Sequence, residues 1–117
     1  MNILVTGTRE ELAPIQAEVI DFVLGAFVDK HVLIEGAASG VDSYTHDWAK
    51  AHGWGTRRFP ADWTLFGKSA GPRRNQQMLD ENDVVLVLAF PIEGSRGTWD
   101  MVERAVKARI PVRVYKL

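Results

Sequence analysis

The residues best suited to chemistry in this 117-residue chain follow one apolar run. Residues 84–90 carry no charge and begin with two β-branched side chains, which is typical of a strand buried on both faces of a parallel sheet. Pro91 ends that run, the small residues of the loop 94–98 follow, and a helical pattern begins at Thr98. A strand, a glycine-rich turn and a helix start direct free backbone N–H groups at an anion. This stretch therefore predicts a phosphate-binding loop.

Two more glycine-containing loops follow predicted strands, at residues 7–9 and 36–40. In a parallel sheet the carboxyl ends of the strands lie at one edge, and ligands bind there where the strand order reverses. One such loop is ordinary turn chemistry, whereas three at one edge favour a shared site. Together they predict a pocket for a nucleotide-sized ligand.

The elements that must position these loops alternate between strand and helix patterns. Strands are predicted at residues 2–6, 31–34, 55–59, 84–90 and 112–115, and helices at 11–28, 41–52, 72–82 and from 98 onward. Residues 61–70 are predicted to form an irregular loop. Such alternation implies right-handed crossovers between parallel strands. We therefore predict a single α/β domain over residues 1–117, a three-layer Rossmann-like fold with about five mainly parallel strands and helices on both faces.

The composition limits the classes of function. The formal net charge is −1 and cysteine is absent, so disulfides and thiolate chemistry are excluded and a general nucleic-acid coat is disfavoured. No apolar run approaches the roughly 20 residues of a membrane span, and the N-terminal segment lacks the basic flank of a signal peptide. We expect a soluble cytoplasmic protein with no membrane partner.

Two common nucleotide motifs are absent. Gly67-Lys68-Ser69 resembles the end of a P-loop, but Asp62 stands where that motif needs a glycine and no apolar strand precedes it. The first strand is not followed by GxGxxG, and the three histidines are scattered without ligand spacing. We predict neither a metal nor a cofactor.

Four segments, in order, resemble the SLOG superfamily, which includes Lonely Guy proteins and DNA-processing protein A, with the YspA-type proteins of bacteria and phages as the best match. The segments are LVTGTRE, IEGAASGVDSYTHDWAKAHG, AGPRRNQQML and FPIEGSRGTWDMVERA. The resemblance implies a Rossmann-like domain that binds a nucleotide or nucleotide-derived small molecule, as a sensor or processing module. The binding residues it implies are Gly7, Thr8, Arg9, Gly36, Ser39, Gly40, Asp42, Arg74, Asn75, Gly94, Ser95, Arg96, Gly97 and Thr98.

The residues of the last loop have two interpretations each. Gly94 and Gly97 let a phosphate approach the backbone, and Thr98 caps the next helix and donates to the anion, or the stretch is a plain strand-to-helix turn. Arg96 clamps a phosphate or extends into solvent, and Arg9 has the same two roles open to it.

Charged residues of the middle helices also have alternatives. Asp42 holds ribose hydroxyls, orders its loop, or only complements the helix dipole. With His46, four residues on, it forms a proton-transfer pair or a helix-surface contact. Arg73 and Arg74 open a predicted helix, where the dipole disfavours cations, so Arg74 is predicted to face an anion rather than to pair with acidic neighbours.

A second function is a Lonely Guy-like nucleoside 5′-monophosphate phosphoribohydrolase. That resemblance implies a GGxGTxxE motif, but here Ser95 replaces the second glycine and Met101 the glutamate. The catalytic candidates are therefore Glu35, Arg74 and Asp100.

A third function is single-stranded nucleic-acid binding through the arginines at 57, 58, 73 and 74, which the near-neutral charge disfavours.

A homodimer through the first helix or the Trp99 helix is one expectation for the assembly. The four tryptophans are most typical of core and rim positions, and Trp63 is also placed to cover a nucleobase.

Overall fold

The strands form one parallel sheet in the computed structural model, which describes residues 1–117. They are β1 (Asn2–Gly7), β2 (Val32–Glu35), β3 (Gly55–Arg58), β4 (Val84–Phe90) and β5 (Val112–Val114). The strand order is β3-β2-β1-β4-β5, and every neighbouring pair runs parallel. This confirms the predicted α/β Rossmann-like arrangement.

Four long helices connect the strands, together with one short helical segment. They are α1 (Pro14–Gly25), α2 (Val41–Ala51), α3 (Trp63–Phe66), α4 (Ala70–Asp80) and α5 (Arg96–Lys107), with a 3₁₀ turn at Gly67–Ser69. The prediction of an irregular loop at 61–70 is wrong, because the Asp62 carboxylate accepts a hydrogen bond from the Leu65 N–H at 3.0 Å and caps a helical turn.

The sheet is covered on both faces by apolar clusters. In β1, Ile3 and Val5 point to one face and pack with α1 and α2, whereas Leu4 points to the other and packs with α4 and α5. This follows from the two-residue side-chain period of a strand. All three side chains are buried, so the centre of the sheet is the rigid base on which the loops at its carboxyl edge rest.

The order of the strands reverses beside β1. The chain moves outward from β1 to β3 on one side and then returns to place β4 against the other side of β1. Gly7 is in register with Phe90, and the Thr8 N–H donates to the Phe90 carbonyl at 3.1 Å. The loops that follow β1 and β4 therefore start side by side, at the point where α/β sheets open a crevice.

The outer surface has two further features. The edge strands carry exposed arginines, namely Arg57 and Arg58 on β3 and Arg113 on β5. Helix α1 exposes Ile15 and Phe22, and the homodimer through this helix stays a prediction. No helix combines the length and the apolar character needed to cross a bilayer.

Candidate functional site

A cleft of about 650 Å³ opens where β1 and β4 end. Its walls are the loop after β1, the start of α2, the N-terminal turns of α4 and α5, and the loop after β4. Most of the predicted binding residues line it, namely Gly7, Thr8, Arg9, Asp42, Arg74, Asn75, Gly94, Ser95, Arg96, Gly97 and Thr98. The first and last of the three predicted loops therefore meet in one cavity, and the middle loop contributes Ala38 to its lining.

Gly36 does not line the cleft, and its role is to make room for a side chain. A Cβ atom built on Gly36 would overlap the guanidinium of Arg74. That guanidinium donates to the Gly36 carbonyl through Nη1, and its Nε donates to Asn75 Oδ1 at 3.0 Å. The missing side chain at Gly36 thus lets α4 dock its arginine against β2.

Ser39 and Gly40 also lie outside the cleft and attach α2 to the loop after β1. Ser39 Oγ donates to the Arg9 carbonyl at 2.7 Å, and the Val41 N–H donates to the Thr8 carbonyl at 3.0 Å. Gly40 has a φ of +71°, and a Cβ there would overlap the Thr8 carbonyl oxygen. These residues hold the cleft wall in place.

The N-terminal turn of α5 lies in the cleft lining and has no side-chain cap. The helix begins at Arg96, so Ser95 occupies the N-cap position and Thr98 lies inside the first turn; the prediction that Thr98 caps the helix is wrong. Ser95 makes no cap bond, because its hydroxyl accepts from the Ile92 N–H at 3.0 Å. First-turn N–H groups have no carbonyl partner within their helix, and those of Gly97 and Thr98 belong to residues of the cleft lining.

Helix α4 brings its first turn and one buried arginine. The 3₁₀ turn at Gly67–Ser69 runs directly into α4, so the Ala70 N–H donates to the Gly67 carbonyl, and Pro72 has no N–H. Helix α4 therefore contributes Gly71 and Pro72 to the cleft lining rather than a free N-terminus. Arg74 is buried, and that burial lowers the pKa of its guanidinium. Arg73 points away, since its Nε donates to Ser69 Oγ at 3.0 Å. Of the two predicted cations, only Arg74 therefore reaches the cleft.

Asp42 orders the loop before its helix, which is one of its predicted roles. Its Oδ2 accepts hydrogen bonds from the N–H groups of Gly36 at 3.1 Å and Ala38 at 3.2 Å. Burial and the nearby Glu35 carboxylate raise the pKa of Asp42 to about 7, against the opposing effects of those bonds and of Arg74. An aspartate that lines the cleft thus titrates near neutral pH.

Glu35 lies beneath the cleft and does not line it. It is fully buried, its Oε1 accepts from Arg58 Nε at 2.5 Å, and its Oε2 accepts from the Ala37 N–H at 2.5 Å. His46 Nδ1 lies 3.4 Å from Glu35 Oε1, so the predicted pairing of this histidine with Asp42 is wrong. The buried cluster leaves Glu35 without access to a ligand in the cleft.

Asp100 is the catalytic candidate that does line the cleft, together with Arg74. Its Oδ2 accepts from Asn75 Nδ2 and from Arg104 Nε, both at 2.9 Å. Burial raises the pKa of Asp100, but the hydrogen bonds from Arg104 and Asn75 outweigh that effect and hold it below its ordinary value. Met101, at the position of the Lonely Guy glutamate, is fully buried in the core.

Residues 63–71 contribute to the cleft lining although none of them is among the predicted binding residues, and only Trp63 has a predicted role, as a cover for a nucleobase. Trp63, Lys68 and Gly71 line the cleft, and the guanidinium of Arg9 lies over the Trp63 ring at 5.0 Å. Asp62 is of a residue type that favours the N-cap position, which is a signal for a helical turn here, but no signal in the sequence places that turn in the wall of the cleft.

The arginines proposed for nucleic-acid binding do not form one free basic surface. Arg57 donates to Asn82 and packs on Phe59, while Arg58 pairs with Glu35 at 2.5 Å. Each of these cations already has a partner within the chain. No group of three or more His, Asp or Glu side chains is arranged to hold a metal ion.

The fold defines a Rossmann-like protein with a cavity at the switch point of its sheet. Residues 1–66 match the family described as YspA, cpYpsA-related SLOG family. In an alignment 90 residues long, the chain is 38% identical to the Gene 61 protein of Mycobacterium phage D29, and the alignment covers 69% of this chain and 68% of that protein. The chain belongs to the YspA, cpYpsA-related SLOG family. No solved structure matches it.

Proposed function

We propose that the chain binds a nucleotide or nucleotide-derived small molecule in this cleft, as a sensor or processing module. The observation that carries the proposal is that the uncapped N-terminus of α5 lies in one cleft with Arg9, Arg74 and Arg96, at the switch point of the sheet. Helix N-termini and arginines both favour phosphate. Membership of the SLOG family supports a nucleotide-related ligand.

The size and charge of the cleft suit such a ligand. A volume of about 650 Å³ lies within the roughly 300–1,000 Å³ of small-molecule sites. The lining carries both signs of charge, with the cations Arg9, Lys68, Arg74 and Arg96 and the carboxylates Glu10, Asp42, Glu93 and Asp100. Cations and helix N-termini suit the phosphate of a nucleotide, and carboxylates suit its sugar hydroxyls.

Thermal unfolding in the presence of candidate ligands tests the proposal. We expect AMP, GMP, ADP-ribose or NAD at millimolar concentration to raise the melting temperature, because a ligand that binds only the folded chain stabilises it. A melting temperature that none of these compounds changes would contradict the proposal.

Substituting Gly97→Ala tests the α5 N-terminus directly. A Cβ atom on Gly97 meets only Arg9 Nη2, at 3.9 Å, so the ligand-free fold tolerates the methyl group. The same methyl group keeps a phosphate from close approach to the first-turn amides. We expect at least about tenfold weaker nucleotide binding by calorimetry, which corresponds to about 1.4 kcal/mol. The melting temperature of the free protein should not fall, because alanine is favoured over glycine in a helix.

Gly25→Ala is the matched control for that substitution. A Cβ atom on Gly25 has no neighbour within 4 Å, and the residue ends α1, outside the cleft lining. This variant should bind nucleotide as the unaltered chain does. Equal affinities for the two variants would remove the α5 N-terminus from the site.

The hydrolase remains a second candidate because Asp100 and Arg74 both line the cleft. We expect no free adenine from AMP, however, because the Asp100 carboxylate is bonded to Asn75 and Arg104 and its lowered pKa makes it a poor proton donor. Chromatography of AMP incubated with the protein checks this expectation. Adenine release that is lost in Asp100→Asn would establish the hydrolase instead.

A further inference from the structure

We propose that Trp63 is the surface on which a nucleobase stacks, so that the ligand carries an aromatic base as well as a phosphorylated sugar. This inference rests on the proposed function and narrows its ligand class. A base-free compound such as ribose 5-phosphate would use only the phosphate side of the cleft. A nucleotide would also use Trp63.

The first observation is the position of the Trp63 ring. Trp63 lines the cleft and remains 47% exposed. Its ring edge packs on the backbone of Gly71, since a Cβ atom built there would lie 3.2 Å from Trp63 Cη2. A large aromatic side chain held at its edge, with much of its area open to a ligand cavity, is suited to stacking.

The second observation is that a flat cation already rests on this ring. The Arg9 Cζ atom lies 5.0 Å from the ring centroid, which is a cation–π contact. The same guanidinium reaches α5, because its Nη2 lies 3.9 Å from a Cβ atom built on Gly97. One side chain therefore bridges the Trp63 ring and the phosphate-binding turn, so the base and phosphate of one nucleotide can reach both.

When a nucleotide binds, its base replaces the Arg9 guanidinium on the Trp63 ring. Arg9 is exposed, and no hydrogen bond holds its guanidinium to another residue of the chain. A base can take its place on the ring while the cation turns to the phosphate. The exchange keeps the ring covered by a planar group and adds a charge-assisted hydrogen bond to the anion.

The segment that carries Trp63 is built to hold the ring in place. Asp62 caps the turn through its bond from the Leu65 N–H, and Gly67 ends it with a φ of +54°. The Arg73 guanidinium covers the neighbouring Phe66 ring at 4.5 Å. The stacking surface is therefore fixed before a ligand arrives, which lowers the entropic cost of binding.

The test compares AMP with ribose 5-phosphate by calorimetry, for the unaltered chain and for Trp63→Ala, Trp63→Phe and Trp99→Ala. Stacking on an aromatic side chain is worth enough that its loss should weaken AMP binding about tenfold. We expect that loss in Trp63→Ala, near-complete recovery in Trp63→Phe, and no change in ribose 5-phosphate affinity for any variant. Trp99 is the matched control, since it is 42% exposed and does not line the cleft.

The outcomes separate this inference from the proposed function. An unaltered chain that binds neither compound, nor GMP, ADP-ribose or NAD, overturns both. If AMP binds and Trp63→Ala leaves its affinity unchanged, or weakens AMP and ribose 5-phosphate equally, only the stacking role is overturned. A loss of AMP affinity as large in Trp99→Ala as in Trp63→Ala has the same consequence.

Discussion

Replacing Gly40 with alanine is expected to lower the free energy of unfolding by about 3 kcal/mol, the combined cost of a left-handed backbone and of steric overlap. Gly40 has a φ of +71°, and its Cβ atom would overlap the carbonyl oxygens of Thr8 and Glu10. Both obstacles are backbone atoms of the loop after β1, so they cannot yield as the tip of a side chain can. The same shift would displace Arg9, and ligand binding should weaken with stability.

Gly67→Ala separates the two costs of the Gly40 substitution. Gly67 has a φ of +54°, but nothing lies within 4 Å of a Cβ atom built on it. Gly67→Ala should therefore lose only the cost of the strained backbone, about 2 kcal/mol. Urea unfolding of both variants gives the comparison. Equal losses would show that the contact between α2 and the first loop does not constrain residue 40.

The stability of the protein is expected to fall as the pH rises from about 4 to about 7, by an amount of order 4 kcal/mol from one buried carboxylate. Burial and the nearby Glu35 carboxylate raise the pKa of Asp42 from 3.8 to about 7 in the folded chain. Between those two values the folded chain holds a proton that the unfolded chain has released. The stabilisation is complete below the lower value and is lost as the pH passes through the higher one.

Asp42→Asn is the variant that tests this pH dependence. Its amide oxygen can still accept from the N–H groups of Gly36 and Ala38, as the Asp42 carboxylate does at 3.1 and 3.2 Å. We expect greater stability than the unaltered chain at pH 8, and a flatter profile between pH 4 and pH 7. Asp47→Asn, an exposed position on the same helix, should keep the original profile. A slope that persists in Asp42→Asn would place the titrating group elsewhere.

The central strands and the parallel sheet could be predicted from the sequence because their signals are local. The apolar run at residues 84–90 has the bounds of β4, since the charged Asp83 precedes it and Pro91 ends it. The alternation of strands and helices then leaves few topologies open. The placement of the first and last loops at one edge follows from that topology.

The roles of individual glycines could not be predicted, because a glycine in a loop does not specify what approaches it. Gly36 and Gly97 both belong to loops that the sequence predicts after strands. The first accommodates the guanidinium of Arg74, whereas the second lies in the cleft lining at the start of α5. Arg74 is distant in sequence from Gly36, and the other walls of the cleft are distant in sequence from Gly97. Only the packed fold brings these parts of the chain together.

The burial of charge was equally hidden in the sequence. Glu35 stands at the end of a strand, which favours a place in the cleft. However, its carboxylate is bonded to Arg58 of the neighbouring strand and is buried away from the cleft. A pair 23 residues apart has no periodic signature. The same holds for Asp42, whose raised pKa depends on packing by several elements.

The arginines at both borders of the sheet affect how copies of this chain can meet. An outermost strand offers unpaired backbone groups to a strand of another molecule, and charged side chains there oppose such lateral pairing. Arg57 and Arg113 occupy these two outermost strands and are exposed. Growth of the sheet from one molecule into the next is therefore disfavoured at both of its borders.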